Sequence, residues 1–160
     1  MKLAVISTSR IVDEFLANLG DMPQIEVAAL CCRPQSAPKA EAWAAQYGIG
    51  RVCTDEAALL AEGGFDAVYI GTANHLHHST AKRVLAAGYH VILEKPFTAT
   101  AAEARELFAL ADSKGVMIFE AITTPYLPEY AFLQQELPKI GPVRGVMASF
   151  CARSRRYDDY

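Results

Sequence analysis

The residues best equipped for chemistry lie at turns that follow apolar runs. Lys2–Ile6 is such a run, and Ser7-Thr8-Ser9-Arg10-Ile11-Val12 follows it at the start of an amphipathic stretch. A turn of this kind that binds a dinucleotide reads G-x-G-x-x-G, because a pyrophosphate must approach backbone N–H groups at a helix N-terminus and side chains obstruct it. Here Ser7 and Ser9 stand for the first two glycines and Val12 for the last small residue. What survives is a strand, a small hydroxyl-rich turn and a helix. The hydroxyls of Thr8 and Ser9 can donate to phosphate, Arg10 can pair with it, and Ile11 closes the candidate contact set. A plain helix cap, in which Ser7 or Ser9 serves backbone N–H groups, accounts for the same residues.

After the second apolar run the chain reads Cys31-Cys32-Arg33-Pro34. An Asp or Glu there would accept from the adenosine ribose 2′-OH and indicate NAD. Arg33 can instead pair with a 2′-phosphate or stack on adenine, which leans to NADP over NAD. An exposed loop arginine is the plainer alternative. Two further groups sit at later strand ends, Thr72-x-Asn74-x-x-His77 and Glu94-Lys95-Pro96. A carboxylate suits the hydroxyl donors of a ribose. A lysine beside a carbinol favours a developing alkoxide by its charge. By themselves Glu94 and Lys95 could equally be a solvated pair. His75, His77 and His78 raise the question of a metal, but no carboxylate or further histidine at helix spacing completes a site, so none is expected.

These residues need a scaffold, and hydrophobic periodicity outlines one. Strands are predicted over Lys2–Ile6, Ile25–Cys31, Arg51–Cys53, Ala67–Ile70, Tyr89–Leu93, Val116–Phe119 and Val143–Cys151. A helix over Arg10–Leu19 places Ile11, Val12, Phe15, Leu16 and Leu19 on one face. Others run from Ser36 to Tyr47, from a Thr54 cap to Gly63, over His77–Ala87, from the Thr100-x-x-Glu103 capping box to Lys114, and over Pro128–Leu137. Strands that alternate with helices and are apolar throughout imply an α/β fold, a doubly wound parallel sheet covered on both faces. The rhythm changes after Ala121, where Pro125, Pro128, Pro138 and Pro142 punctuate the chain. A boundary there divides residues 1–121, a dinucleotide-binding domain, from 122–160, a linker helix and a further strand.

Composition narrows the function classes. Hydrophobic residues make up 52% and charged residues 21%, enough for a core and too apolar for a disordered tail. Lys plus Arg is 15 against 18 for Asp plus Glu, so the net charge is −3 and no basic excess argues for a nucleic-acid partner. No apolar run approaches the ~18 residues that a membrane span needs. Met1–Ile6 enters a polar turn rather than a signal-peptide core and cleavage site. Cys31, Cys32, Cys53 and Cys151 lack C-x-x-C spacing and read as small hydrophobes in a reducing, cytoplasmic compartment.

Val68–His77, and Gly88–Pro96 with its terminal Glu-Lys-Pro, resemble segments of the glucose–fructose oxidoreductase / inositol dehydrogenase / MocA family of NAD(P)-dependent oxidoreductases. The resemblance continues through Glu120-Ala121 and Gly141–Gly145. It implies a Rossmann fold, NADP or NAD as cofactor, and hydride transfer between nicotinamide and a hydroxyl/carbonyl carbon of a sugar, cyclitol or related small polyol. It also implies roles: Thr72, Asn74 and His77 along the cofactor phosphates and the nicotinamide-side ribose, Glu94 as acceptor for that ribose's hydroxyls, and Lys95 as the catalytic lysine beside the reacting carbon. In that family a second domain with a large open sheet supplies substrate contacts and much of an oligomer interface. The chain ends soon after what reads as the first strand of such a sheet. The expectation is therefore an incomplete second domain, poor turnover by these residues alone, and self-association into a homo-oligomer through the unpaired edge of Val143–Cys151. The alternative is a non-catalytic dinucleotide-binding sensor or regulatory module, which needs the cleft but not Lys95.

Overall fold

The computed structural model describes residues 1–151 of the chain. Six strands, β1 (Lys2–Ile6), β2 (Glu26–Cys31), β3 (Val52–Cys53), β4 (Ala67–Ile70), β5 (His90–Leu93) and β6 (Ile118–Glu120), form one sheet in the order β3-β2-β1-β4-β5-β6. Every pairing is parallel. Helices α1 (Arg10–Asn18), α2 (Ala37–Tyr47), α3 (Glu56–Glu62), α4 (His77–Ala86) and α5 (Ala101–Lys114) connect successive strands, and α6 (Pro128–Glu136) follows β6. This is the doubly wound Rossmann order, and its switch point lies between β1 and β4, where open α/β sheets bind ligands.

The two faces of the sheet hold separate cores because side chains alternate along each strand. β1 sends Ala4 and Ile6 to one face and Val5 to the other, while β4 sends Val68 and Ile70 to the first face and Tyr69 to the second. Leu59 of α3, Val84 and Leu85 of α4 and Leu107 of α5 cover the first face. Val12 and Leu16 of α1 and Trp43 of α2 cover the second. Full burial of each such Leu contributes about 1.5–3 kcal/mol relative to exposure. No helix among the described residues is long and apolar enough to cross a membrane.

Three local expectations are corrected. The cap of α3 is Asp55 and not Thr54, because Asp55 is the extended residue whose carboxylate accepts from the amides of Ala57 at 2.8 Å and Ala58 at 3.1 Å. β6 starts at Ile118 and not Val116, because the Val116 amide bonds back to the Ala111 carbonyl at the end of α5. Val143–Cys151 forms no strand. A strand exists through ladder bonds to a neighbour, and the described residues after α6 contain no second strand to pair with it. The edge on which self-association was to rest is therefore not formed.

Contacts divide the chain into two compact units, Met1–Ile122 and Thr123–Tyr160. The first holds the whole sheet and α1 to α5. The second, as far as it is described, holds α6 between 3-10 turns at Thr124–Tyr126 and Leu137–Ile140.

Candidate functional site

β1 ends at Ile6 and the chain turns at Ser7 with φ +114°, a conformation that favours glycine. The turn thus has a glycine-like backbone where the sequence supplies serine. Ser7 Oγ accepts from the Ser9 amide at 3.1 Å, and Ser9 Oγ donates to the Gly71 carbonyl at 2.7 Å. The Ser9 hydroxyl is therefore engaged in tying this turn to the end of β4. What the turn leaves open is backbone. α1 has no side-chain cap at its N-terminus, and the amides of Arg10 and Ile11 have no backbone acceptor among the described residues. Such amides, with the helix dipole behind them, favour an anion.

The small residue that the fingerprint places on the helix has moved to the strand side. A Cβ on Gly71 would stand 2.6 Å from Val12 Cγ2 and 3.5 Å from Ile11 Cγ2. Val12 can occupy the helix position because Gly71 vacates the space opposite.

The residues that follow β1, β2, β3 and β4 enclose a cleft of about 750 Å³. Thr8 and Ser9 line one wall, Arg33, Ser36 and Lys39 a second, and Thr72, Ala73 and Leu76 a third. Lys39 is a residue that the sequence reading missed. Its Nζ donates to the Thr8 carbonyl at 2.8 Å and lies 4.4 Å from the centroid of the Trp43 ring. The available signal was its place in the first turn of the helix after Arg33. Glu56 also lines the cleft, but Arg83 pairs with it through Nε at 2.6 Å and Nη2 at 3.0 Å. Neither Arg33 nor Lys39 is ion-paired among the described residues. Cys31 and Cys32, buried in the same lining, have their thiols pushed up by burial.

Thr72 and Glu94 follow β4 and β5. Thr72 Oγ1 is buried and has no hydrogen-bond partner. Glu94 is buried, its Oε1 accepting from the Tyr69 hydroxyl at 2.8 Å and its Oε2 from the Lys95 amide at 3.1 Å. The Lys95 side chain is exposed, and the Lys95–Pro96 peptide is cis. His77 is 1% exposed, with Nδ1 at 2.7 Å from the Pro96 carbonyl and Nε2 at 3.1 Å from the Thr72 carbonyl.

Of the residues picked out by sequence, the structure gathers Thr8, Ser9, Arg33 and Thr72 around the cleft. Arg10 lies along the surface of α1, paired with Glu14. Ile11 is half-buried, offering its backbone, and Asn74 opens an exposed 3-10 turn. His77 is in the interior with a carbonyl oxygen beside each ring nitrogen, while Glu94 and Lys95 stand together after β5. A dinucleotide fits these residues: the cleft has room, the α1 amides suit phosphate, and the orphaned Thr72 hydroxyl has a bond to make.

Known proteins share this fold. Residues 1–122 match a family model described as the oxidoreductase family, NAD-binding Rossmann fold. The chain is 36% identical to scyllo-inositol 2-dehydrogenase (NADP(+)) IolU of Bacillus subtilis, over 100% of this chain and 48% of that protein. It is 30% identical to trans-1,2-dihydrobenzene-1,2-diol dehydrogenase of Sus scrofa, over 94% of this chain and 45% of that one. A crystal structure of KijD10, a 3-ketoreductase from Actinomadura kijaniata, in complex with NADP and TDP-benzene, is similar with TM-score 0.81 and 29% identity, over 87% of this chain and 42% of that one. The chain thus spans about half the length of the curated relatives it matches.

Proposed function

The chain belongs to the oxidoreductase family with an NAD-binding Rossmann fold named for glucose–fructose oxidoreductase, inositol dehydrogenase and MocA, and from that premise we propose that it is the cofactor-binding half of an NADP-preferring dehydrogenase. Its substrate is a secondary alcohol or ketone of a cyclitol, sugar or related diol. The observation that carries the cofactor choice is the pair Arg33 and Lys39 on one wall of the cleft, while Glu56, the carboxylate in the same lining, is taken up by Arg83. Arg33 presents a planar fork to a 2′-phosphate. Lys39, anchored by the Thr8 carbonyl and the Trp43 ring, adds a second fixed charge.

When bound, the nicotinamide supplies or accepts the hydride. The chain's own residues do the rest. The open amides of Arg10 and Ile11 would hold pyrophosphate oxygens, and the Thr72 hydroxyl would gain its missing partner. Glu94 accepts from the hydroxyls of the nicotinamide ribose and fixes the ring's position. Lys95 Nζ would serve the reacting carbon. As a ketone is reduced, it donates a proton to the carbonyl oxygen, and its charge stabilises the developing alkoxide. The similarity to an inositol dehydrogenase and a dihydrodiol dehydrogenase supports a substrate with neighbouring hydroxyls.

The test is a titration of the chain with NADPH and NADH, followed by nicotinamide fluorescence. The expected result is saturable binding of both, with NADPH the tighter. Arg33→Ala and Lys39→Ala each weaken NADPH by roughly tenfold, as expected for one charge-assisted contact, and leave NADH nearly unchanged. Equal loss for both cofactors would remove the assignment of a 2′-phosphate site.

A further inference from the structure

Two interior groups converge on the Glu94-Lys95-Pro96 segment, and neither is needed merely to fill space. Tyr69 is 1% exposed in β4, between the aliphatic Val68 and Ile70. Its ring lies flat on Phe15, with centroids 3.8 Å apart and planes within 3°. That stack fixes the direction of the hydroxyl, which donates to Glu94 Oε1 at 2.8 Å. A phenylalanine would pack there equally well; a buried phenol brings a polar tip that requires a partner. On the other side of Lys95, His77 sits between two carbonyls, that of Pro96 at 2.7 Å from Nδ1 and that of Thr72 at 3.1 Å from Nε2. A carbonyl only accepts and a neutral imidazole carries one N–H, so a neutral ring donates to one of the two, the Pro96 carbonyl at the shorter distance.

The backbone of Lys95 is thus held from both sides. Before it, the Glu94 carboxylate is tied to β4 and to the Lys95 amide itself. After it, the Pro96 carbonyl accepts from the first residue of α4, whose ring also packs against the Thr72 carbonyl. The exposed lysine side chain projects from a braced segment.

We infer that Tyr69 and His77 are positioning residues for the nicotinamide half of the site, Tyr69 setting the orientation of the Glu94 carboxylate and His77 setting the backbone that carries Lys95. This rests on the reading above, in which Glu94 and Lys95 serve that half. Both carboxylate oxygens keep lone pairs for ribose hydroxyls, but their directions are decided before a cofactor arrives. The Tyr69 phenol is pushed well above its ordinary range, first by burial and then by its bond to Glu94, so it remains a donor wherever the protein is folded. Without that donor, Glu94 is a buried carboxylate with one fixed partner fewer, free to rotate away.

The experiment compares two ligands on the chain as it stands. NADPH engages both halves of the site, whereas 2′,5′-ADP carries only the adenosine 2′-phosphate half. Calorimetry gives both affinities for wild type, Tyr69→Phe, His77→Leu and His77→Asn. In Tyr69→Phe, NADPH is expected to weaken by roughly tenfold, the effect of one bond to a charged group, with 2′,5′-ADP unchanged. His77→Leu loses NADPH selectively in the same way. His77→Asn, which keeps a donor near the Nδ1 position, restores part of that loss. A general loss of structure weakens both ligands together, so parallel losses overturn the inference, as does no change in either. Wild type that binds 2′,5′-ADP with NADPH no tighter overturns the positioning roles while leaving the adenosine site. Wild type that is folded and binds neither ligand overturns the functional reading and this one with it.

Discussion

At the scale of single residues, two side chains sit in places that the isolated fold does not favour. Thr72 Oγ1 is buried without a partner, and an unsatisfied hydroxyl costs about 1–3 kcal/mol. Thr72→Val removes the hydroxyl and keeps the shape. The cofactor-free chain is expected to gain about 1 kcal/mol in chemical denaturation, while NADPH binding weakens severalfold in the same titration. A loss of stability together with unchanged binding would make Thr72 an ordinary packing residue. Ser7 is held at φ +114° and contributes one acceptor to the turn. Ser7→Gly and Ser7→Ala both remove that acceptor, but only glycine relieves the backbone. Glycine is expected to melt higher, by about 1–2 kcal/mol in stability, and the reverse order would mean that the turn relaxes when serine is replaced. The placement of several candidate residues was legible in the sequence. Arg33, Thr72, Glu94 and Lys95 all stand at strand ends, as the sequence reading requires. What could not be read was where each polar atom goes. The Ser9 hydroxyl meets Gly71, and the His77 nitrogens meet Thr72 and Pro96. Those partners are set by sheet order and loop approach, which no local spacing encodes. Lys39 was missed for the same reason: a helical lysine looks like solvated surface until Trp43 and Thr8 are beside it.

At the scale of elements, the pairing of α1 with the end of β4 shows how a departure from a motif can be compensated. Val12 stands where the fingerprint has a small residue, and Gly71 stands opposite, leaving no room for a Cβ. Gly71→Ala is expected to cost about 1–3 kcal/mol through overpacking. Adding Val12→Ala to that variant frees the space and restores part of the loss. A double-mutant cycle by urea denaturation should give a favourable coupling of about 1 kcal/mol or more between the two positions. Additive losses would mean that the contact is relieved elsewhere. The elements themselves were legible wherever local signals and burial agree. Thr100 and Glu103 form both bonds of the capping box, and Gly115 ends α5 in the left-handed conformation. β1 and β4 occupy their expected spans because four buried residues in each leave no alternative register. Val143–Cys151 has strand-forming residues but no ladder partner among the described residues, and propensity alone does not make a strand.

At the scale of the molecule, the question is how much chain the binding fold needs. Both cores draw their buried members from within Leu3–Ile118, and every buried residue among those described falls in that range. The sheet, the cleft and the Glu94-Lys95-Pro96 segment all belong to the unit Met1–Ile122. A unit that contains its own two-sided core satisfies the physical requirement for folding alone. A fragment of residues 1–122 is therefore expected to unfold in one cooperative transition, with a melting temperature close to that of the full chain. For a domain of this size, about 1 kcal/mol of stability corresponds to roughly 4 °C, so agreement within about 4 °C means that the remaining residues contribute little. The fragment should also bind NADPH as tightly as the full chain does. Under the proposed function hydride transfer is a separate matter, since it also requires water exclusion and substrate contacts around Lys95. Equal NADPH affinity with no turnover by the fragment would divide the protein cleanly into a part that holds the cofactor and a part that presents the substrate. A fragment that melts about 10 °C lower, or more than 2 kcal/mol on the same scale, would instead place residues after Ile122 within the folding unit itself.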